Sequence, residues 1–297
     1  MMRQVAAVSA ALSMAATITI SQVLEHTKRA IDEEFSRVPG TFALAWEDLQ
    51  NGRQLRINDT AVFHAASTMK VAVMIEVFRQ AARGYFSLDD TMTVRNEFRS
   101  IVDGSRYSLS RDDDSDTLVY SRLGRPMTIR ELVYQMITLS SNLATNLLVE
   151  MVGASNVTAT AGLLGAAGMQ VLRGVEDQKA YDRGMNNTTT ARDLLALLKA
   201  IAMGKAVDRT ASGEMFEILS EQKLRDKIPA LLPPDVRVAN KTGSFRTVQH
   251  DAGIVTLPDG RRYVLVVLSR DLENDDAGRD VIAHVSKIVY DSFTARQ

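Results

Sequence analysis

The chain has 297 residues, of which 45% are hydrophobic, so it can bury a substantial core, and its length indicates about two domains. It carries 35 Lys and Arg residues against 36 Asp and Glu residues, and the net charge of -1 gives no general reason to expect nucleic acid or an anionic membrane as a partner. The absence of cysteine excludes disulfides, thiolate nucleophiles and cysteine-based metal sites.

The first residues have the pattern of an export signal. Arg3 precedes an apolar, alanine-rich run from Val5 to Ile20, which is typical of a secretory signal peptide. A helix packed on the body of the protein, or a single anchor, is the alternative. We expect no membrane span, because this run is short and no later segment is long and apolar enough. The sequence predicts a signal peptide over residues 1–21 and a periplasmic or secreted location.

The first half of the chain predicts helices around one hairpin. Pro39-Gly40 ends an amphipathic stretch, and alternating residues flank Asn51-Gly52, a strong hairpin signal. Thr128 and Thr190 are expected to cap helices. The predicted elements are helices over 23–38, 66–84, from 129, over 142–152 and over 191–202, with strands over 41–46 and 53–57.

Residues 95–125 are polar and contain the acidic run Asp112, Asp113, Asp114 and Asp116. A calcium loop is conceivable, but the glycine and the terminal glutamate of an EF-hand loop are missing. The segment is therefore interpreted as a solvated loop.

The last third of the chain predicts strands over 236–239, 250–257 and 263–269 and a closing helix over 278–293. Strands at both ends of the chain, with helices between them, indicate an α/β fold. We predict an antiparallel sheet domain from residues 22–62 plus 213–297, flanked by helices. An all-α domain over 63–212 is inserted, with the active site at the interface.

Ser67 and Lys70 lie three residues apart at the start of a predicted helix, so both face the same side. A serine hydroxyl needs a base to act as a nucleophile, and burial of Lys70, with Lys241 as a second cation, would lower its pKa towards a useful value. The alternative is a helix-capping serine and a surface lysine. Ser-x-x-Lys also occurs from Ser220 to Lys223.

Two later motifs complete a possible acyl-transfer site. Ser140 could pass a proton to a leaving nitrogen, and the Asn142 amide could hold a substrate carbonyl and Lys70; a helix-to-helix turn is the alternative. Lys241, Thr242 and Ser244 could bind a carboxylate, and Gly243 could admit a substrate beside the strand. The backbone N–H groups of Ser67 and Ser244 could form an oxyanion hole. A plain edge strand is the alternative for this motif.

Other chemistries fit less well. The chain has no Gly-x-Ser-x-Gly elbow and no phosphate-binding glycine loop. The histidines are scattered without metal-ligand spacing; His64 and His250 could line a site, but ordinary, partly buried histidines are the preferred interpretation. We expect no metal and no other cofactor.

With these motifs in this order, the chain resembles the class A β-lactamases and, more broadly, the penicillin-recognising serine hydrolases, from about Val23 to Phe293. The resemblance implies a two-domain β-lactamase/transpeptidase-like fold, a β-lactam substrate, Ser67 as acylated nucleophile, Lys70 as base and Ser140 as proton donor. Asn142 would hold the substrate side chain, and the motif from Lys241 to Ser244 would bind the substrate carboxylate. Glu176, in an Ω-shaped loop, would activate the deacylating water; a loop salt bridge is its alternative role. We expect a monomer.

Two positions depart from that pattern. Ser141 stands where the family usually has aspartate, and Ala180 stands where an asparagine usually shares the hydrolytic water. Acylation is therefore better supported than fast deacylation. A D-Ala-D-Ala peptidase or esterase, and a β-lactam sensor without turnover, remain alternatives to a β-lactamase.

Overall fold

The computed structural model describes residues 20–295. The predicted signal peptide lies outside the described residues, except for its last two positions. The helices are α1 Ile20–Phe35, α2 Lys70–Ala82, α3 Leu118–Ser121, α4 Ile129–Thr138, α5 Asn142–Val152, α6 Ala154–Leu163, α7 Gln178–Asp182, α8 Ala191–Ala202, α9 Arg209–Ser220 and α10 Asp275–Thr294, with a 3-10 turn at Ala66–Met69. Among these helices, none combines the length and the apolar character that a membrane crossing requires.

The strands of the described chain are β1 Thr41–Asp48, β2 Gln54–Ile57, β3 Phe63–His64, β4 Thr91–Thr93, β5 Phe98–Arg99, β6 Arg106–Tyr107, β7 Pro126–Thr128, β8 Thr188–Thr189, β9 Arg237–Phe245, β10 Val248–Thr256 and β11 Arg262–Arg270. Five of them form an antiparallel sheet in the order β2-β1-β11-β10-β9. The sheet joins both ends of the chain, which confirms the predicted fold class. The stretch between β2 and β9 is mainly helical and contains three short two-stranded ladders.

Both faces of the sheet are covered. One hydrophobic cluster includes Ile31 of α1, Trp46 of β1 and Ile282 of α10, and the other joins the opposite face to α2 and α8. Residues 70–78 of α2 are all buried, as the nearly all-apolar pattern predicts for a central helix. This burial gives the residues at the start of α2 a rigid support.

Local signals placed several helix ends correctly. Thr128 and Thr190 each form a capping box, with Glu131 and Asp193 respectively. Helices α5 and α8 have the predicted bounds. Each cap satisfies backbone N–H groups within three residues, which explains why the sequence alone locates it.

The prediction of a solvated loop over 95–125 is wrong in part. Asp116 is buried and Asp114 is half-buried, and the segment contains β5, β6 and α3. Ser100 Oγ and the Ile101 N–H donate to the carboxylate of Asp177, at 2.9 and 3.0 Å. The segment therefore packs on the loop that carries Glu176.

Candidate active site

Ser67 lies in the 3-10 turn that leads into α2, half-buried and lining a cleft of about 320 Å³. Its neighbour Ala66 has φ 44°, a left-handed conformation that is strained for alanine. The Ala66 N–H donates to His64 Nδ1 at 3.0 Å, and the Ala65 N–H donates to Asn187 O at 2.8 Å. Within the described chain, no hydrogen bond holds the Ser67 hydroxyl, so it is free to meet a ligand.

Lys70 is fully buried beneath this turn. Its Nζ donates to Ser140 O at 2.6 Å, to Ser140 Oγ at 3.2 Å and to Asn142 Oδ1 at 2.9 Å. Burial lowers the pKa of the Lys70 ammonium to about 7, while the charges of Asp114 and then Glu176 oppose this shift. A lysine with such a pKa can exchange a proton near neutral pH.

Ser140 connects the two buried lysines. Lys241 Nζ donates to Ser140 Oγ at 3.0 Å and to Thr242 O at 2.9 Å. Burial, followed by the neighbouring charge of Lys70, lowers the pKa of Lys241 well below its ordinary value. Ser140 itself has φ 60°, so the connection between α4 and α5 holds it in a strained conformation. The three side chains form a continuous path for a proton.

Asn142, the first residue of α5, joins this path to Glu176. Its Nδ2 donates to Glu176 Oε1 at 2.8 Å while its Oδ1 accepts from Lys70. Glu176 Oε2 accepts from the Ser110 N–H at 3.2 Å. Burial raises the pKa of the Glu176 carboxyl. Glu176 has φ 62°, which turns the chain sharply at this residue.

The backbone before Glu176 is held by Asn146 of α5. The Val175 N–H donates to Asn146 Oδ1 at 2.6 Å, and Asn146 Nδ2 donates to Val175 O at 3.0 Å. A side chain at Gly174 would collide with Asn146 Oδ1. The sequence interpretation gave Asn146 no function.

The motif from Lys241 to Ser244 lies on β9, the outermost strand of the sheet, beside the Ser67 turn. A Cβ at Gly243 would lie 3.1 Å from Thr68 Cγ2 and 3.3 Å from the Ser67 nitrogen. The close approach of the Ser67 turn to β9 therefore explains why a glycine occupies position 243. Ser244 lines the cleft, and its hydroxyl donates to Gln249 Oε1 at 2.8 Å.

The two departures have clear structural positions. Ser141 is buried and caps α5 by accepting from the Ala144 N–H at 3.3 Å. Ala180 is buried in α7, and its backbone N–H donates to Asp177 Oδ1 at 3.1 Å. Its side chain is a methyl group, which forms no hydrogen bond. Ser141 thus still supplies a hydrogen-bonding side chain at the start of α5, whereas Ala180 supplies no polar group.

The cleft has an aromatic wall of His64, Tyr181 and Phe245, of which the sequence analysis considered only His64 as a residue that could line a site. His64 stacks on Phe245 with ring centroids 4.9 Å apart, and Tyr181 packs edge-on against Phe245 at 5.5 Å. Burial lowers the pKa of His64 to about 4, so its ring is neutral and accepts from the Ala66 N–H. His250 is fully buried and its Nε2 lies 2.9 Å from His64 O, so it supports the wall from behind.

The remaining candidates have structural roles or none. The Ser220 hydroxyl donates to Phe216 O within its own helix, and Lys223 pairs with Glu221. In the part of the chain that the structure describes, no three His, Cys, Asp or Glu side chains are grouped to hold a metal ion.

Comparisons with known proteins agree with this geometry. The model of the β-lactamase enzyme family matches residues 26–293. A β-lactamase from Bacteroides uniformis is 27% identical over 306 residues, covering 94% of this chain and 95% of the relative. The structure of a β-lactamase from Sphaerobacter thermophilus superposes with a TM-score of 0.77 at 25% identity, covering 92% of this chain and 98% of the other.

A mutant of PBP-A in an acyl-enzyme complex with penicillin G is also similar. It has a TM-score of 0.77 and 27% identity, and the match covers 92% of this chain and 97% of that one. The fold and the site define a serine hydrolase of the penicillin-recognising type. The chain belongs to the β-lactamase enzyme family and is a divergent β-lactam hydrolase.

Proposed function

We propose that the protein is a class A serine β-lactamase that works through an acyl-enzyme on Ser67. The observation that supports this proposal is a network of hydrogen bonds that joins Lys70, Ser140, Asn142 and Glu176. This network lies beside the free Ser67 hydroxyl. Ser67, Asn142 and Glu176 line one cleft, which supports a site for both acylation and deacylation.

In acylation, Ser67 Oγ attacks the carbonyl carbon of the β-lactam while Lys70, as the neutral amine, takes the hydroxyl proton. The ring C–N bond then breaks. Ser140 gives its proton to the departing nitrogen and is reprotonated by Lys70, which lies 3.2 Å from Ser140 Oγ. The N–H groups of Ser67 and Ser244 stabilise the oxyanion, since Gly243 lets β9 approach the turn.

The same cleft holds the substrate. Lys241, Thr242 and Ser244 bind the substrate carboxylate from β9, and Asn142 binds the amide of the substrate side chain. Lys241 is buried, so the carboxylate meets a poorly hydrated cation, which strengthens the attraction.

In deacylation, Glu176 takes a proton from a water molecule that attacks the ester carbonyl. The ester C–O bond to Ser67 then breaks, and this proton is returned to the Ser67 oxygen, which restores the hydroxyl and the Glu176 carboxylate. The hydrogen bonds from Asn142 and Ser110 hold the Glu176 carboxylate in place, and burial raises its pKa. Ala180 adds no further polar group for that water.

The test is time-resolved intact mass spectrometry with a penicillin and a cephalosporin. Wild type should show a transient adduct and consume many equivalents, Glu176→Gln should accumulate the adduct, and Ser67→Ala should form none. Ser220→Ala, the serine of the second Ser-x-x-Lys, is the matched control and should behave as wild type. Adduct formation on Ser67→Ala would exclude Ser67 as the nucleophile.

The lack of a polar side chain at Ala180 favours a second candidate function. This is a D-Ala-D-Ala peptidase or esterase that uses the same groups for acylation. It predicts a stable penicillin adduct on wild type and turnover of a peptide or ester substrate. The same mass experiment distinguishes the two functions, because only a β-lactamase releases the hydrolysed drug in many turnovers.

The organisation of the protein completes the proposal. We propose a sheet domain from residues 22–62 and 213–297 and a helical domain over 63–212, with the site between them. We also propose export as a monomer to the periplasm or the medium, supported by the apolar run before Ile20. N-terminal sequencing of the protein from a periplasmic extract tests the export. Light scattering of the same protein tests the monomeric state.

A further inference from the structure

Asp114 lies at the start of α5, where Asn142 begins the helix. Its Oδ2 accepts from the Asn142 N–H at 2.8 Å and from the Leu143 N–H at 3.0 Å. The helix's own cap, Ser141 Oγ, reaches only the Ala144 N–H, at 3.3 Å. The first two free N–H groups of α5 are thus satisfied by a residue 28 positions away in the chain.

The charge of Asp114 acts on the same site. Among the charges that influence Lys70, that of Asp114 is the largest and opposes the loss of the lysine proton. Glu176 acts in the same sense, while Lys241 faces Lys70 from β9 as a like charge.

The groups around Asp114 are themselves acidic or neutral. Tyr120 of α3 and Glu176 face it, and Asp116 of its own loop donates an N–H to Asp114 Oδ1 at 3.1 Å. The charge of Lys70 lowers the pKa of Asp114. Burial raises the pKa of the Asp114 carboxyl, and the N–H groups at the start of α5 and the charge of Lys70 oppose this rise.

We propose that Asp114 is a positioning residue of the catalytic site, which fixes Asn142 through the α5 backbone and tunes Lys70 through its charge. This inference rests on the proposed function. It assigns a role to the polar segment 95–125 that its composition alone does not reveal. Asp114 is not among the residues that line the cleft, so it acts through Asn142 and Lys70.

Two variants separate the hydrogen bonds from the charge. Asp114→Asn keeps an oxygen that can accept from both N–H groups of α5, but it removes the charge and the acceptor of the Asp116 N–H. Asp114→Ala removes all of these. Asp112→Asn is the matched control, because Asp112 is an exposed carboxylate of the same loop. Thermal melting of each variant reports whether it is folded.

The first readout is the rate of penicillin acylation of Ser67. Asp114→Ala should slow it about tenfold or more, and Asp114→Asn should move the acidic limb of its pH profile to lower pH. Asp112→Asn should leave both unchanged. If Asp114→Ala acylates within about twofold of wild type, or Asp112→Asn moves the profile as much as Asp114→Asn does, the proposal is overturned.

The second readout does not depend on any substrate. The titration of the Lys70 side chain, followed by NMR of ¹³C-labelled lysine with Lys70→Arg for assignment, should shift to lower pH in Asp114→Asn and not in Asp112→Asn. An unshifted titration would overturn the proposal even if wild type failed to react with penicillin. Failure of wild type to form any adduct would instead count against the proposed function.

Discussion

Lys70 Nζ and Asn142 Oδ1 lie 2.9 Å apart, and this hydrogen bond determines which way the Asn142 amide faces. Because its oxygen is turned towards Lys70, its nitrogen is turned towards Glu176, to which it donates at 2.8 Å. One amide therefore links the base proposed for acylation to the base proposed for deacylation, and the two steps share a support.

Asn142→Ala should slow both steps. Lys70 loses an acceptor and Glu176 loses a donor, and each charge-assisted hydrogen bond is worth enough to change a rate by about tenfold or more. Acylation and deacylation rate constants, measured separately by quenched-flow mass spectrometry, check this. Gln178→Ala is the control, because Gln178 lines the cleft while its amide donates to Asp182. A defect in only one step would contradict the shared role.

Acylation should rise with pH through about 7 and then level off. Lys70 must be neutral to accept the Ser67 proton, and its pKa is lowered to about 7 by burial. Below that pH the acylation rate constant should fall roughly tenfold per pH unit. The profile is best measured as the acylation rate constant of the wild type by quenched-flow mass spectrometry, because Glu176→Gln would remove a charge that raises the pKa of Lys70. A flat profile down to pH 5 would mean that another group removes the proton.

Lys70→Met should stabilise the fold while abolishing acylation. The unfolded lysine keeps its ordinary pKa of 10.5, and the folded one titrates near 7. Between these values the unfolded state binds more protons, so the wild type gains stability as pH rises through this window. The increase in Tm from the substitution should therefore be larger at pH 6 than at pH 9. An equal increase at both pH values would show that Lys70 titrates normally.

Gly243→Ala should impair acylation by displacing β9 or the Ser67 turn, because the new methyl would lie 3.3 Å from the Ser67 nitrogen. Loss of one oxyanion donor typically lowers rates by about 10²–10³-fold. The control is Gly213→Ala, an exposed position in α9 with open space, where alanine should favour the helix. Acylation by Gly243→Ala at the wild-type rate would show that the strand does not form the oxyanion hole.

Gly174→Ala should act on deacylation instead. Its methyl would collide with Asn146 Oδ1, which accepts from the Val175 N–H, and so it would move the backbone next to Glu176. The acyl-enzyme should persist at least about tenfold longer, while acylation changes little. The lifetime of the penicillin adduct, followed by intact mass, is the measurement. Slower acylation with an unchanged adduct lifetime would be the opposite of the expected result.

The sequence by itself determined the local features of this protein. The caps at Thr128 and Thr190, the helix from Asn142 and the strand that carries Lys241 were all predicted, because each depends on residues within a turn or a strand. The order of the three motifs also identified the family and the fold class.

Only the tertiary structure decided how distant segments meet. Asp114 was assigned to a solvated loop, yet its carboxylate accepts from the start of α5. The sequence analysis explained the glycine at position 243 by a substrate lying beside the strand. In the structure, the Ser67 turn occupies the space that a side chain at this position would take. Burial, which sets the pKa of Lys70, is produced by packing of α2, α5 and β9. Such properties arise from contacts between residues far apart in the chain, which a pattern of neighbouring residues does not encode.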